Sequence, residues 1–242
     1  MGRLENGRWI IEDVNPKQKD GEFIRQTQKF RHQISASPKA KYQPEFDRYH
    51  LYVSYACPWA HRTLIYRKLK KLEKIISVSL VSPLMGPDGW TFDPDFDGVG
   101  DQLYNKKLLR ELYVFADSHF SGRVTVPVLW DKRTNSIVNN ESADIIQIFD
   151  SAFNQLTGST TQLSPANKKP DIDKLNSWIY NEINNGVYKT GFATTQNTYE
   201  KHCKQLFAAL ESLEDRLTQN LFLLGDRPLE PDWRLFVTLV RF

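Results

Sequence analysis

Cys57 is the residue whose setting points most directly to chemistry. The run Tyr49-His50-Leu51-Tyr52-Val53-Ser54 ahead of it is rich in β-formers and short enough for a buried strand. Pro58 behind it suits the first turn of a helix, where its missing N–H had no partner to lose. A cysteine between a strand end and a helix start faces unpaired N–H groups and the positive end of the helix dipole, which favour the thiolate. A thiolate at neutral pH attacks disulfides and other activated sulfur. The motif reads Cys57-Pro58-Trp59-Ala60-His61. With Ala60 in its fourth position there is no second thiol, so an outside thiol must resolve any mixed disulfide. The plainer reading is a structural cysteine at a helix cap, since many unpaired cysteines are inert.

Two further features bear on a ligand. Pro127, in Thr125-Val126-Pro127-Val128, opens a strand where its lack of a donor is tolerated, and cis bonds concentrate at X-Pro. A cis proline facing Cys57 would leave the Val126 N–H and C=O as a strand-like docking edge; an ordinary edge-strand proline is the alternative. Glu141-Ser142 begins a short helical pattern. Backbone N–H groups at a helix start bind a carboxylate, and Glu141 would take an amine of the same ligand. A γ-glutamyl group carries both charges on one carbon. Ser142 or Asn140 acting only as an N-cap is the simpler alternative.

The elements that must hold these residues follow from periodicity. Leu64, Ile65, Leu69 and Leu72 continue a helix from Ala60, and Ile75–Val81 is a second strand. Strand, helix, strand in one sheet implies a parallel pair with a right-handed crossover. Residues 83–100, rich in Gly, Pro and Asp, form a long loop holding Trp90 and Phe92. A helix is expected over 102–118, with Leu103, Leu108, Leu112 and Phe115 as its apolar stripe. Strands follow at 124–130 and 136–139, then a helix at 142–149. Residues 151–170, rich in Ser, Thr, Asn and Pro, read as a linker. Helices alone follow, at about 171–185, 196–219 and from 230 on. In the second, Cys203, Leu206, Phe207, Leu210, Leu213 and Leu217 share a side, making Cys203 a core residue. The resulting divisions are an irregular N-terminal extension at 1–47, an α/β domain at 48–150, the linker at 151–170 and an all-α domain at 171–242.

Composition narrows the class. Across 242 residues, 32 Lys plus Arg against 29 Asp plus Glu leave +3, which gives no electrostatic case for nucleic acid. No run of 18 apolar residues would make a membrane helix, and the first residues lack a signal peptide's apolar stretch. Only two cysteines, Cys57 and Cys203, favour a reducing compartment, hence the cytoplasm. The five histidines show no ligand spacing, so no metal is expected.

Taken together, Cys57, Val126-Pro127 and Glu141-Ser142 resemble the glutathione transferase superfamily. Cys-Pro-Trp-Ala-His, the loop Gly86-Pro87-Asp88-Gly89-Trp90-Thr91-Phe92-Asp93 and the segment Ser121–Asp131 are similar to its Xi class, the glutathionyl-hydroquinone reductases. The likeness runs from about Gly21 to Phe242. It implies a thioredoxin-like N-terminal domain followed by an all-helical one, with glutathione as co-substrate and quinone or hydroquinone conjugates as substrates. It makes Cys57 the nucleophile and has Val126 pair with the cysteinyl backbone of glutathione. Glu141 and Ser142 would hold the γ-glutamyl end, with Trp90 and Arg123 along the rest. A guanidinium at Arg123 also suits a glycine carboxylate. Tyr188 matches a tyrosine placed over the electrophile, while His61 reads as a helix-surface or supporting residue.

Two departures accompany the likeness. The superfamily opens one C-terminal helix with a Ser/Thr-x-x-Asp box, but here Leu229 precedes Asp232 and has no oxygen to cap. The pattern also stops at Phe242 inside an apolar helix, so the chain reads as cut short of helices that would complete the electrophile pocket and the homodimer contact. Besides the reductase, an omega-like thioltransferase or dehydroascorbate reductase shares Cys57 and the glutathione site. A non-catalytic binding module on the same fold is a third reading.

Overall fold

The computed structural model describes residues 2–11 and 20–242. Its described residues form two compact units, one of residues 2–11 and 26–161, the other of residues 20–25 and 162–242.

The first unit is built on a four-stranded sheet of order β4-β3-β5-β6. All five residues of β3 (Tyr49–Val53) are buried, as an interior strand requires. It pairs in parallel with β4 (Ile76–Leu80) and antiparallel with β5 (Val128–Asp131), which in turn pairs antiparallel with β6 (Ser136–Asn139). Helix α1 (Pro58–Leu69) makes the crossover between β3 and β4 and packs on α3 (Ser142–Ser151). At the far end of β3, Arg48 and Asp131 form a buried ion pair through two hydrogen bonds of 2.9 and 2.8 Å.

Several elements differ from expectation. The N-terminal extension opens with a hairpin of β1 (Gly2–Glu5) and β2 (Arg8–Ile11), turning on Asn6 and Gly7 with φ of 48° and 74°. Asn-Gly is the standard two-residue hairpin turn, because both positions adopt positive φ. Residues 26–47 are also tied to this unit: His32 N–H donates to Val138 C=O and Asn140 N–H to Phe30 C=O, each at 3.0 Å. The helix expected at 102–118 is shorter, α2 (Leu109–Ala116). Asp101 explains the loss, since its carboxylate collects the N–H groups of Leu103, Tyr104 and Lys106 at 3.0–3.3 Å and holds that stretch as a loop. Glu111 then starts the helix by accepting the Leu108 N–H at 2.9 Å. The strand expected from Val124 begins at Val128, after Pro127. Beyond α3, residues of the expected linker form α4 (Asn154–Thr157), closed by Gly158 at φ 64°.

The second unit is helical: α5 (Lys169–Ile179), a π-helical turn (Tyr180–Asn184), α6 (Gly186–Gly191), α7 (Gln196–Gln219) and α8 (Glu230–Leu239). Leu175, Ile179, Ile183, Leu206, Leu213 and Leu235 lie in its core. The buried face of α7 is Thr198, His202, Leu206, Ala209 and Leu213, one step round from the expected stripe. Cys203 is therefore half-buried, and Phe207 is half exposed. Asp232 supplies half of a capping box at α8, accepting the Leu229 N–H at 2.8 Å, while Leu229 returns nothing.

Candidate active site

Cys57 is the N-cap residue of α1, with extended backbone (φ −87°, ψ 116°) and Pro58 beside it at the helix start. Its N–H donates to Ser54 C=O at 3.1 Å, and its C=O accepts the His61 N–H at 3.0 Å, the first helical bond. The Ser54 hydroxyl braces this turn, accepting the Ala56 N–H and donating to Ser82 C=O, both at 3.3 Å. No acidic residue stands in the first turn of α1. Neither cysteine is in a disulfide. Five residues beyond Cys57, Arg62 is buried with its guanidinium 4.6 Å from the Trp59 ring centroid.

The Cys57 Sγ–H points at the Val126 carbonyl, 3.6 Å away, and the Val126–Pro127 peptide is cis. Val126 lies two residues ahead of β5, beyond the end of the ladder. Thr125, just before it, is gripped by the buried Tyr113: the phenol donates to Thr125 C=O at 2.9 Å and accepts the Thr125 N–H at 3.3 Å. Burial raises the Tyr113 pKa, opposed in part by its bonds to Thr125 and Asn140, so the phenol stays neutral. The same oxygen accepts from Asn140 Nδ2 at 3.1 Å. Gln28, from the N-terminal extension, closes the network by accepting from Asn140 Nδ2 at 2.9 Å and from the Thr125 hydroxyl at 3.2 Å.

Asn140 leads into the second expected feature. The N-cap of α3 is Glu141, neither Asn140 nor Ser142: its carboxylate accepts the Ala143 N–H at 3.1 Å. Its own N–H donates to Asn139 Oδ1 at 2.7 Å. Ser142 is buried at the first helical position, with its hydroxyl 3.4 Å from Glu141 Oε1. The helix start thus offers N–H groups, a hydroxyl and a carboxylate, the set that a carbon bearing both an amine and a carboxylate requires.

Cys57 and Val126 are in direct contact, and Tyr113 and Asn140 join the Val126 edge to the Glu141-Ser142 helix start. Trp90 and Arg123 lie on segments tied elsewhere. The Trp90 carbonyl accepts the Leu109 N–H at 3.0 Å, pinning the loop to α2, and Gly122 beside Arg123 pairs with Leu4 of β1 in both directions at 2.9 Å. Both side chains are half-buried. Tyr188 lies on α6 in the second unit, also half-buried. Tyr113, Asn139 and Gln28 were not anticipated; the paired asparagines before a helix were the available signal. Among the described residues no cluster of His, Cys, Asp and Glu fits a metal ion, and no helix is long and apolar enough to cross a membrane.

A thiol at a helix start, facing the peptide before a cis proline on a mixed β4-β3-β5-β6 sheet and followed by a helical unit, defines a thioredoxin-fold transferase. Family models agree: residues 56–152 match the glutathione S-transferase N-terminal domain and residues 196–242 its C-terminal domain. The chain belongs to the glutathione S-transferase family, in the branch that holds the Xi class and the glutathionyl-hydroquinone reductases. It is 55% identical to glutathione S-transferase omega-like 2 of Schizosaccharomyces pombe, over 93% of this chain and 73% of that protein. It is 49% identical to the glutathionyl-hydroquinone reductase YqjG of Escherichia coli, over 100% of this chain and 76% of that one. The glutathione-bound structure of YqjG superposes with a TM-score of 0.89 at 48% identity, covering 100% of this chain and 75% of the other. The Xi-class transferase of Natrialba magadii gives 0.92 at 45% identity, covering 100% and 73%.

Proposed function

We propose that this chain reductively removes glutathione from glutathionyl-hydroquinones through a mixed disulfide on Cys57. The observation that carries the reading is the Cys57 sulfur at the start of α1, 3.6 Å from the Val126 carbonyl, with alanine where a second thiol would stand. The Cys57 thiolate attacks the sulfur of the conjugate. A Cys57–S–S–glutathione bond forms, the sulfur–ring carbon bond breaks, and the ring carbon takes a proton to give the free hydroquinone. The thiolate of a second glutathione then attacks the mixed disulfide, releasing oxidised glutathione and restoring Cys57.

Each remaining residue has a role in this reading. The Val126 N–H and C=O dock the cysteinyl unit of glutathione, replacing the thiol contact that Val126 makes here. Glu141 takes the γ-glutamyl ammonium, and Ser142 with the α3 N–H groups takes its carboxylate. Arg123 and Trp90 hold the glycine end. Pro58 and Pro127 fix the two backbones that meet at the sulfur. Tyr188 donates a hydrogen bond to the ring oxygen of the hydroquinone. The reaction is placed in the cytoplasm, where glutathione keeps thiols reduced, and the working form is a homodimer, which sedimentation checks.

The test is turnover of a glutathionyl-hydroquinone with glutathione, compared with Cys57→Ser. Wild type should release hydroquinone and oxidised glutathione in equal amounts, and the variant should release neither; full turnover by Cys57→Ser would sink the scheme. The omega-like name of the Schizosaccharomyces pombe relative supports a second reading, thiol transfer from simple mixed disulfides or reduction of dehydroascorbate. A higher kcat/KM on those substrates than on the hydroquinone conjugate would favour it.

A further inference from the structure

The segment Asp20–Arg25 is fastened to the helical unit along most of its length. Thr194 N–H donates to Gly21 C=O at 3.1 Å, and the Thr198 hydroxyl donates to Asp20 C=O at 2.6 Å. The Glu22 carboxylate accepts from Lys201 Nζ at 2.7 Å and meets His202 Nε2 at 2.5 Å. Gly21 has φ of +74°, and a Cβ there would stand 2.8 Å from the Thr195 hydroxyl and 2.9 Å from its backbone nitrogen. Only glycine lets the segment lie this close to the start of α7.

So anchored, the segment presents two side chains to α6. The Phe23 ring is stacked at 6.0 Å from Tyr188 and lies 5.4 Å from Phe192. The Arg25 guanidinium carbon is 4.2 Å from the Tyr188 ring centroid, and Arg25 Nε donates to Asn185 Oδ1 at 2.6 Å. A planar cation laid on a ring, with its own direction set by a side-chain amide, restricts that ring's tilt.

We infer that Asp20–Arg25 is a strap whose Arg25 positions the Tyr188 phenol for the electrophile, which makes this part of the N-terminal extension a component of the substrate site. The inference rests on the proposed role of Tyr188. Arg25 acts through Tyr188 and is a positioning residue; a phenol free to tilt would lose alignment in the transition state while leaving glutathione binding alone.

Kinetics of Arg25→Ala, Arg25→Lys, Tyr188→Phe and the Arg25→Ala/Tyr188→Phe pair test this on a glutathionyl-hydroquinone. Arg25→Ala should lower kcat about tenfold with KM for glutathione within about twofold of wild type, and the pair should fall no lower than Tyr188→Phe. Arg25→Lys should recover only part of the loss, because an ammonium has neither the planar face nor the fork. An unchanged kcat in Arg25→Ala, or losses that multiply in the pair, would overturn the strap's role. Nitration of Tyr188 by tetranitromethane, mapped by mass spectrometry, reads the clamp without turnover. If wild type turns over no conjugate, the substrate reading falls and nitration alone decides. Several-fold faster nitration in Arg25→Ala then supports the clamp, and an unchanged rate overturns it.

Discussion

The Glu141 carboxylate accepts the Ala143 N–H at 3.1 Å, so one side chain both caps α3 and supplies the charge proposed to hold an amine. Substitution separates these roles. Glu141→Gln keeps an oxygen for the cap and loses the charge. Its unfolding free energy should stay within about 0.5 kcal/mol of wild type, because the capping bond survives. Its KM for glutathione should rise roughly tenfold, since a hydrogen bond to a charged group is worth about 1.5–3 kcal/mol. Glu141→Ala should show the same rise in KM and also lose about 1 kcal/mol of stability with the cap. Urea unfolding beside steady-state kinetics makes the comparison, and an unchanged KM in Glu141→Gln would remove Glu141 from the ligand site. Residue patterns made Cys57, Val126 and Glu141 legible because each depends on neighbours in sequence: a strand end, a proline, a helix start. Tyr113 was not legible. Its partners Thr125 and Asn140 lie 12 and 27 residues away, and the expected stripe of α2 passed over it.

At the scale of elements, β3 is legible as a buried strand, but the state of the polar residue inside it depends on neighbours from other strands. His50 is fully buried, its Nδ1 is 2.7 Å from the Ser77 hydroxyl on β4, and its ring stands edge-on to Tyr52 at 4.7 Å. Burial lowers its pKa from 6.5 to about 4, with Asp101 opposing in part. The neutral ring is thus the folded form, and below pH 6.5 the unfolded chain binds the proton more readily. The contribution is complete above pH 6.5 and is lost as pH falls toward 4, in total on the order of 3 kcal/mol. Urea unfolding of wild type and His50→Gln between pH 7.5 and 4.5 should show a steeper acid-side loss in wild type; parallel curves would assign the acid sensitivity to other groups. The other misreadings at this scale are of two kinds. The Asn6-Gly7 hairpin was available in a dipeptide, whereas the loop at 102–108 exists because one carboxylate, Asp101, gathers three N–H groups that periodicity would give to a helix. Periodicity records which face is apolar and is blind to a side chain that competes for the backbone.

At the scale of the whole chain, the proposed glutathione site belongs wholly to the first unit, being drawn from α1, the Val126 edge and the start of α3. Binding there does not need the sulfur: docking on Val126 and the charges at Glu141-Ser142 are non-covalent. Glutathione should therefore stabilise Cys57→Ser as it stabilises wild type. At a free concentration of 100 times Kd, a ligand that binds only the folded state contributes about 2.7 kcal/mol. For a chain of this size each kcal/mol moves the midpoint by about 2–4 °C, so a rise of roughly 5–10 °C is expected where the loss of structure is a single step. The rise should saturate with glutathione and shrink to near nothing in Glu141→Gln/Ser142→Ala, which keeps Cys57. Differential scanning calorimetry of the three proteins, each with and without glutathione, decides it. A rise in wild type absent from Cys57→Ser would mean that glutathione is held through the Cys57 sulfur itself and not by the charges at the α3 helix start. The α3 helix start would then be a cap and nothing more.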